Sequence, residues 1–599
     1  MRMKLLLSGF ALVWIILLVR IYYISIQSNA YYEEIASQNA IKTERLAPLR
    51  GSIKDTKGRP MAVNRLGFSI AIKPHLSSKR NRHVLDEEIR FISSLFKDID
   101  EKELKKTYLK NDSPYSQSFV TVIEFISYDE VIAYFSHISL RENLEIKPAS
   151  KRHYPYNSLA SHIIGYVGKA NLKDVAEDPV AQLTNYTGRS GIERFYNASL
   201  QGEEGERRTK VTAFNQEVEQ LSKQLPYSND IALSIDLELQ QYITEIFGND
   251  AGAVVVMDVK DGSVLAAGSF PEYDLNKFVT GITSAEWKKL SEDLDHPFTN
   301  KLINGLYPPG SIVKMGVGLA FLNSGKITRR TTYFDTGTME LGGRNFRCWK
   351  EHGHGLVDLN RAIRESCDDY FYKSSLKVGI DAISPVMERL GFAQKTGVDL
   401  PNEFVGTVPG RDWKMLKYQK SWYQGETLIS SIGQGYFLVT PMQVARHTAI
   451  LATGKAVTPH FIKSLNGVDI EYATSEDVLT DFEKRQMPHI RKAMYEVANH
   501  PNGTATYRVR ESKVTIAAKT GTAQVVGIAQ SEKKRIKEDE MAYFKRSHAW
   551  ITTYGPFSDP RYVVTVLMEH GGHGGQAAGP IVTKIYNKLY ELGYIPNTK

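Results

Sequence analysis

The strand-forming residues in the larger part of this chain are split between two distant stretches. Ala251-Gly-Ala-Val-Val-Val-Met-Asp258 and Ser263-Val-Leu-Ala-Ala267 are apolar runs on either side of Lys260-Asp261-Gly262, a hairpin signal. Three further strand candidates follow only much later, Val514 to Ala518, His548 to Tyr554 and Tyr562 to Met568, the last two joined over Ser558-Asp-Pro560. Most of the sequence between, from about 276 to 499, reads as helix or loop. The sheet is therefore assembled from the two ends of one domain, with a helical region inserted between them. Tight hairpins make neighbouring strands antiparallel. The domain begins near Pro226 with a strand, Ile231 to Ile235, and a helix, Leu237 to Phe247, and closes on a helix from Pro580 to Leu592. The expected class is α/β, an antiparallel sheet flanked by helices with an all-helical insertion.

The chain before Pro226 has a different character. From Asn29 to about Gln224 it mixes short strand-like runs, turns and charged helices without a set of catalytic residues, as an elongated α+β pedestal would. Arg50-Gly-Ser-Ile-Lys-Asp-Thr-Lys-Gly58 reads as strand, turn, strand, and Gly188-Arg-Ser-Gly191-Ile-Glu193 as a glycine turn opening a short helix. Both serve either local structure or an interdomain role. Tyr108 to Tyr134, rich in β-branched and aromatic residues, suits a separate lobe.

Leu5 to Ile26 is apolar apart from Ser8, Arg20 and Ser25, and at about 1.5 Å per residue it spans a bilayer core of roughly 30 Å. It reads as a single transmembrane helix rather than a cleaved signal peptide, because no small-x-small site follows it. Arg2 and Lys4 place residues 1–4 in the cytoplasm and the bulk of the chain on the far side of the membrane. The expected division is a membrane helix over 5–26, an N-terminal pedestal domain over 27–225 and a larger second domain over 226–597. A net charge of +8 over 599 residues, with no dense basic stretch, argues against a nucleic-acid partner.

Three short motifs carry the chemistry. In Tyr307-Pro-Pro-Gly-Ser311-Ile-Val-Lys314 a serine follows a proline-glycine break, and a lysine stands three residues on, on the same helix face. The spacing alone is cheap, for Ser94/Lys97, Ser374/Lys377 and Ser531/Lys534 share it, but only Ser311 follows a turn signal and opens an apolar run. Glu365-Ser366-Cys367-Asp368 places a hydroxyl and a carboxylate two apart at a helix start, where a simple N-cap is the plainer reading. Ala518-Lys519-Thr520-Gly521-Thr522 ends a strand with a cation, two hydroxyls and a glycine, which a turn would also explain. Together, in the order Ser-x-x-Lys, Ser-x-Asp, Lys-Thr-Gly, they form the signature of penicillin-recognising serine enzymes.

With these motifs, and with Gly433-Gln-Gly435 and Thr440-Pro441 in the same order, the chain resembles the class B penicillin-binding proteins of the elongation type over nearly its whole length. The second motif ends here in Asp368, as in the elongation type, rather than in the more widespread asparagine. Acyl transfer needs a base beside the serine. The expected roles are Ser311 as nucleophile, Lys314 as its base, Ser366 as proton relay, Asp368 as orienting carboxylate, and Lys519, Thr520, Gly521 and Thr522 as the donor-peptide carboxylate site. Backbone N–H groups of Ser311 and Thr522 would form the oxyanion hole. The resemblance implies a peptidoglycan D,D-transpeptidase acting on stem peptides of a lipid-linked precursor polymer, inhibited by β-lactams, with no cofactor for the chemistry. It implies a membrane glycan polymerase and scaffold proteins as partners in cell elongation. A D,D-carboxypeptidase or a membrane-bound β-lactam sensor would carry the same motifs.

Two cysteines, Cys348 and Cys367, bracket His352 and His354, and Asp335 lies upstream. The pair suits a disulfide in an oxidising compartment. The set of thiols, imidazoles and a carboxylate also suits a structural Zn²⁺. By resemblance, elongation-type members carry an acid-acid-His-Cys zinc site here. His354 and Cys367 fall on its last two ligands, Cys348 replaces the second acid, and Asp335 matches the first if the loop 337–343 absorbs a length difference, with His352 the substitute.

Overall fold

The two ends of the sheet do meet. The computed structural model describes residues 2–27, 41–96, 99–212, 217–472, 475–527 and 538–598. Strands β1 (Gly252–Asp258), β2 (Val264–Phe270), β3 (Ala517–Ala523), β4 (His548–Gly555) and β5 (Tyr562–Met568) form one sheet in the order β2-β1-β5-β4-β3, antiparallel throughout. Every residue of β1, β2 and β5 is buried, so both faces are covered, which explains their unbroken apolar runs. Adjacent threonines of β4 show what covers them, since successive strand side chains point to opposite faces. Thr552 Oγ1 lies 2.7 Å from Thr448 Oγ1 on the helix Pro441–Thr453, and Thr553 Oγ1 bonds Tyr586 Oη at 3.2 Å on the C-terminal helix.

Among the helices of the described residues, those used below are α1 (Arg2–Tyr22), α2 (Leu237–Phe247), α3 (Lys314–Asn323), α4 (Asp368–Val378), α5 (Arg411–Tyr418), α6 (Pro441–Thr453), α7 (Asp481–Asn499) and α8 (Gly574–Glu591). Helix α3 is buried along Lys314 to Leu322 and packs against α7. Helix α1 and the turn after it are long and apolar enough to cross a membrane.

Several expectations change in detail. The motif Lys519-Thr-Gly-Thr lies inside β3 rather than at its end, because pairing with β4 from Ala517↔Tyr554 to Ala523↔His548 sets the strand, and Val514 to Ile516 precede it. Helix α8 starts at Gly574, with Pro580 inside it, because Gly574 lies against the β3 and β4 backbones: a Cβ there would fall 2.1 Å from Gly521 O and 2.3 Å from Trp550 O. The insertion also holds two small hairpin-like pairs, Tyr333–Asp335 with Gly355–Val357 and Thr338–Leu341 with Arg344–Arg347. Ile231–Leu233 joins a different, seven-stranded sheet, running parallel to Ile53–Lys54 and antiparallel to Ile462–Leu465.

By contacts the chain forms two compact units, Met1–Arg50 with Ala170–Tyr186 and Gln201–Asn229, and Gly51–Lys169 with Thr187–Leu200 and Asp230–Lys599. The first holds a three-stranded antiparallel sheet, Ile41–Leu46, Gly205–Val211 and Glu217–Gln224, in which Arg207 meets Glu44 at 2.7 Å and Glu217 at 3.1 Å. The second holds the catalytic sheet, the seven-stranded sheet and an apolar lobe built on Ile70, Leu85, Ile92 and Tyr108. Within it, the two glycine motifs meet on one buried arginine: Arg152 bonds Glu193 at 2.7 Å and Gly51 O at 2.8 Å. Removing one partner of so buried a pair strands the other charge, so these motifs are fixed by electrostatics as well as by turn geometry. Arg59 likewise joins the hairpin carboxylate of Asp55, at 2.8 Å, to Asp236, at 3.1 Å, the N-cap of α2.

Candidate active site

A break in the backbone presents the serine. Pro308-Pro309 leads into Gly310 at φ +55, and Gly310–Val313 forms a turn of 3₁₀-helix that runs straight into α3 at Lys314. Side chains three apart eclipse in a 3₁₀ turn, so Ser311 and Lys314 share one side. The turn is held from three directions: Gly310 N–H donates to Gly433 O (2.8 Å), Trp550 Nε1 donates to Pro308 O (3.2 Å), and a Cβ at Gly310 would sit 2.6 Å from Thr522 O. Gly521 fits closely where β3 crosses behind the turn, for a Cβ would lie 3.0 Å from both Ile312 Cγ2 and Pro309 O.

Ser366 adopts φ +56, the left-handed region that a serine seldom enters. This conformation aims both its carbonyl and its hydroxyl at lysines. Lys314 Nζ, fully buried, donates to Ser366 O (2.9 Å), Ser366 Oγ (3.4 Å) and Asp368 Oδ1 (2.7 Å). Lys519 Nζ, also fully buried, donates to Ser366 Oγ (2.9 Å) and Thr520 O (2.9 Å). One hydroxyl thus bridges two amines. Burial first, and then the charge of Lys314, pushes the Lys519 amine well below the ordinary lysine range, with Asp368 opposing. Asp368 Oδ2 accepts the Trp349 N–H at 2.9 Å. Cys367, not Ser366, is the N-cap of α4, its sulfur accepting from Tyr370 N–H, so the plain N-cap reading of Ser366 and Asp368 does not describe this turn.

The structure brings Lys314, Ser366, Asp368 and Lys519 together, with Ser311 on the turn beside them. Among the described residues no hydrogen bond holds the Ser311 hydroxyl, which is partly exposed; apo catalytic bonds are commonly loose and tighten only with substrate. The β3 motif divides by strand alternation. Lys519 and Gly521 face the 3₁₀ turn and Ser366, whereas Thr520 and Thr522 face the start of α8, where Thr520 Oγ1 bonds Thr504 Oγ1 (2.7 Å) and Gly574 N–H approaches Thr522 Oγ1 at 3.5 Å. Trp349, Thr504 and Gln434, which donates to Thr522 O at 3.1 Å, border the site without a sequence motif of their own. Of the competing pairs, Ser94 bonds Phe91 O within a helix and Ser374 is buried in α4; Lys97, Ser531 and Lys534 lie outside the described residues.

A second cluster adjoins the first. Asp335, Cys348, His354 and Cys367 are all buried and offer ligand atoms within 4.8 Å of one another. His354 Nδ1 lies 2.7 Å from Asp335 Oδ2 and 3.5 Å from Cys348 Sγ, and Cys367 Sγ lies 3.2 Å from Asp335 Oδ2. Neither cysteine is in a disulfide, and His352 is exposed, so Asp335 takes the place beside the other three. A tetrahedral zinc needs ligand separations of about 3.3–3.8 Å at ordinary bond lengths; the three contacts above run from 2.7 to 3.5 Å, so the cluster would open slightly around an ion. The two thiols share one ionisation: the Cys367 thiol holds Cys348 down to about 6, while Cys348 and burial push Cys367 well above the ordinary thiol range. Burial opposes ionisation of Asp335, but bonds from His354 and Gly337 N–H hold its carboxyl at about 2. The cluster touches the catalytic group directly, because Asp368 N–H donates to Cys348 Sγ at 3.3 Å.

The profile of the penicillin binding protein transpeptidase domain matches residues 252–589, and that of the penicillin-binding protein dimerisation domain matches residues 45–232. The chain is 36% identical over 593 residues to the peptidoglycan D,D-transpeptidase MrdA of Haemophilus influenzae, covering 96% of this chain and 89% of that protein. It is 34% identical to MrdA of Escherichia coli, covering 97% and 92%. Among solved structures, the complex between penicillin-binding protein PBP2 and MreC from Helicobacter pylori matches with a TM-score of 0.86 at 43% identity, over 93% of this chain and 99% of that one. Such agreement over the dimerisation region, the catalytic sheet and the helical insertion alike means that the chain belongs to the penicillin-binding protein family.

Proposed function

We infer that this chain is a peptidoglycan D,D-transpeptidase, a serine acyltransferase of cell-wall elongation. The observation that carries the reading is the hydroxyl of Ser366 shared between the amines of Lys314 and Lys519 beside the Ser311 turn. In the reaction we propose, Ser311 Oγ attacks the carbonyl between the two terminal D-alanines of a donor stem peptide. Lys314, acting in its neutral form as the base, takes the proton of Ser311 as the new bond forms, and the Ser366 hydroxyl beside it is the path along which that proton leaves. The same relay returns a proton to the departing D-alanine nitrogen. An amine of a second stem peptide then attacks the acyl-enzyme and restores Ser311. Asp368 orients Lys314. Ser311 and Thr522 N–H groups stabilise the tetrahedral oxyanion, a device worth about 3–4 kcal/mol per donor. Thr520 and Thr522, with Lys519 behind them, receive the donor carboxylate, and β-lactams acylate Ser311 instead.

Asp335, Cys348, His354 and Cys367 would hold a structural zinc. When bound, it ties the loop 348–354 to the start of α4 and so fixes Asp368; four protein ligands leave it no open position for bond making. Residues 27–225 serve contact with a membrane glycan polymerase and scaffold proteins, in keeping with the MreC complex of the Helicobacter pylori relative, while 226–597 carry the chemistry. The single membrane helix is oriented with its short N-terminus in the cytoplasm, following Arg2 and Lys4. Product analysis of the full-length protein with a pentapeptide donor and an acceptor amine tests the reaction. Crosslinked product is expected; released tetrapeptide alone would mean a carboxypeptidase, and a stable acyl-enzyme formed only with β-lactams would mean a sensor.

A further inference from the structure

Two segments of the helical insertion bring three aromatic rings together, one exposed and two half-buried. Trp413 and Tyr418, from α5, and Tyr436 have ring centroids 5.3–5.6 Å apart. Lys417 lies over Trp413 at 5.3 Å and over Tyr418 at 5.7 Å. Tyr418 is 43% exposed, and Gln419 and Lys420 continue as an exposed polar rim. The chain that carries Tyr436 runs directly from the cleft. Gly433 O accepts the Gly310 N–H beside Ser311, Gln434 Nε2 donates to Thr522 O, and Tyr436 follows two residues later.

We propose that Trp413, Tyr418 and Tyr436 form a saccharide subsite that binds the sugar to which the donor stem peptide is attached. The proposal rests on the peptidoglycan reading above and adds to it where the glycan end of the substrate lies. A glutamine side chain and two residues of chain place the Tyr436 backbone within about 15 Å of the Thr522 carbonyl, and four to five extended residues of a stem peptide reach about 13–18 Å. With its terminal carboxylate at β3, a stem peptide is long enough for its sugar to reach this platform. Rings with an apolar face and a polar edge match a pyranose, whose C–H face stacks while its hydroxyls reach the lysine and glutamine rim. A protein partner or the membrane surface is the alternative occupant, and neither would make affinity for a soluble donor depend on its sugar.

The test uses the full-length protein in detergent with two donors, a stem pentapeptide ending in D-Ala-D-Ala and the same pentapeptide carried on its disaccharide. D-alanine release gives KM and kcat for each. The expected result is a KM roughly five- to tenfold lower for the disaccharide form, the order of one stacked ring, with kcat unchanged. Tyr418→Ala and Trp413→Ala should erase that difference and leave both the free-pentapeptide KM and penicillin labelling of Ser311 as in the wild type. Equal KM values for the two donors in the wild type would overturn the subsite, as would a difference that survives Tyr418→Ala. Should Trp413→Ala lose penicillin labelling through misfolding, Tyr418→Ala, at the exposed end of α5, decides alone. Failure of the wild type to label with penicillin or to release D-alanine would instead count against the transpeptidase reading itself.

Discussion

Replacing Gly521 with alanine adds one methyl group at the crossing of β3 and the serine turn. Its φ is not in the left-handed region, so alanine meets no backbone strain there, and only the space decides. The new Cβ would stand 3.0 Å from Ile312 Cγ2 and from Pro309 O, and 3.2 Å from Trp550 Cβ. Carbon pairs rest at about 3.5–4.0 Å and carbon–oxygen pairs somewhat closer, so the strand and the turn must give by a few tenths of an ångström, at most about half. Overpacking of this kind costs about 1–3 kcal/mol. It is offset by at most about 1 kcal/mol from the stiffer unfolded chain. The shift falls between Ser311 on the turn and Lys519 and Thr522 on the strand. A displacement of 1 Å costs up to about a hundredfold in rate, so half of that predicts up to roughly tenfold slower acylation. The assay is the second-order rate of acylation by a fluorescent penicillin, with apparent Tm measured alongside. Gly527→Ala, where an added Cβ meets nothing within 4 Å, is the control and should behave as wild type. Wild-type acylation and Tm for Gly521→Ala would refute the packing of β3 against the turn.

Ser366→Ala removes the hydroxyl between Lys314 and Lys519, and penicillin acylation should fall about 10²- to 10⁴-fold while Tm changes little; a loss under tenfold would remove Ser366 from the relay. Asp236 is buried, which opposes ionisation, yet bonds from Lys57 and Tyr594 hold its carboxyl down to about 2. Its stabilisation, about 2–3 kcal/mol, is therefore complete above the unfolded value near 4 and lost as pH falls from about 4 to about 2. Asp236→Asn should lower Tm at pH 6 and converge on wild type towards pH 2, and a gap constant across that range would contradict the assignment. Metal analysis of the purified protein should find one zinc per chain, lost in Cys348→Ser together with a lower Tm; less than stoichiometric zinc with a Cys348–Cys367 crosslink in nonreducing peptide mapping would reject the metal site.

The catalytic sheet was legible because its strands are apolar on both faces, as β1 and β5 show, and because hairpin turns announce their neighbours. Strand β3 was legible as chemistry but misplaced as structure. Val514 to Ile516 has the stronger strand composition, yet pairing with β4, a long-range contact, draws Lys519 to Thr522 into the ladder. Pro580 resembles a helix start and lies inside α8, since the close approach of Gly574 to β3 decides where that helix begins. Thr504, Trp349 and Gln434 carry no local signal, because each reaches the site from a separate segment that only the fold brings near. The metal cluster was half legible: spacing alone left Asp335 and His352 open, and the pairing of Tyr333–Asp335 with Gly355–Val357 sets Asp335 beside His354.

The central claim is that Ser311 is the nucleophile. Mass spectrometry of tryptic peptides after reaction of the full-length protein with labelled penicillin tests it most directly. The account predicts one adduct, on the peptide carrying Ser311, absent from a folded Ser311→Ala protein and retained after substitution of Ser94, Ser374 or Ser531. An adduct on any other residue, or undiminished labelling of Ser311→Ala, would contradict it.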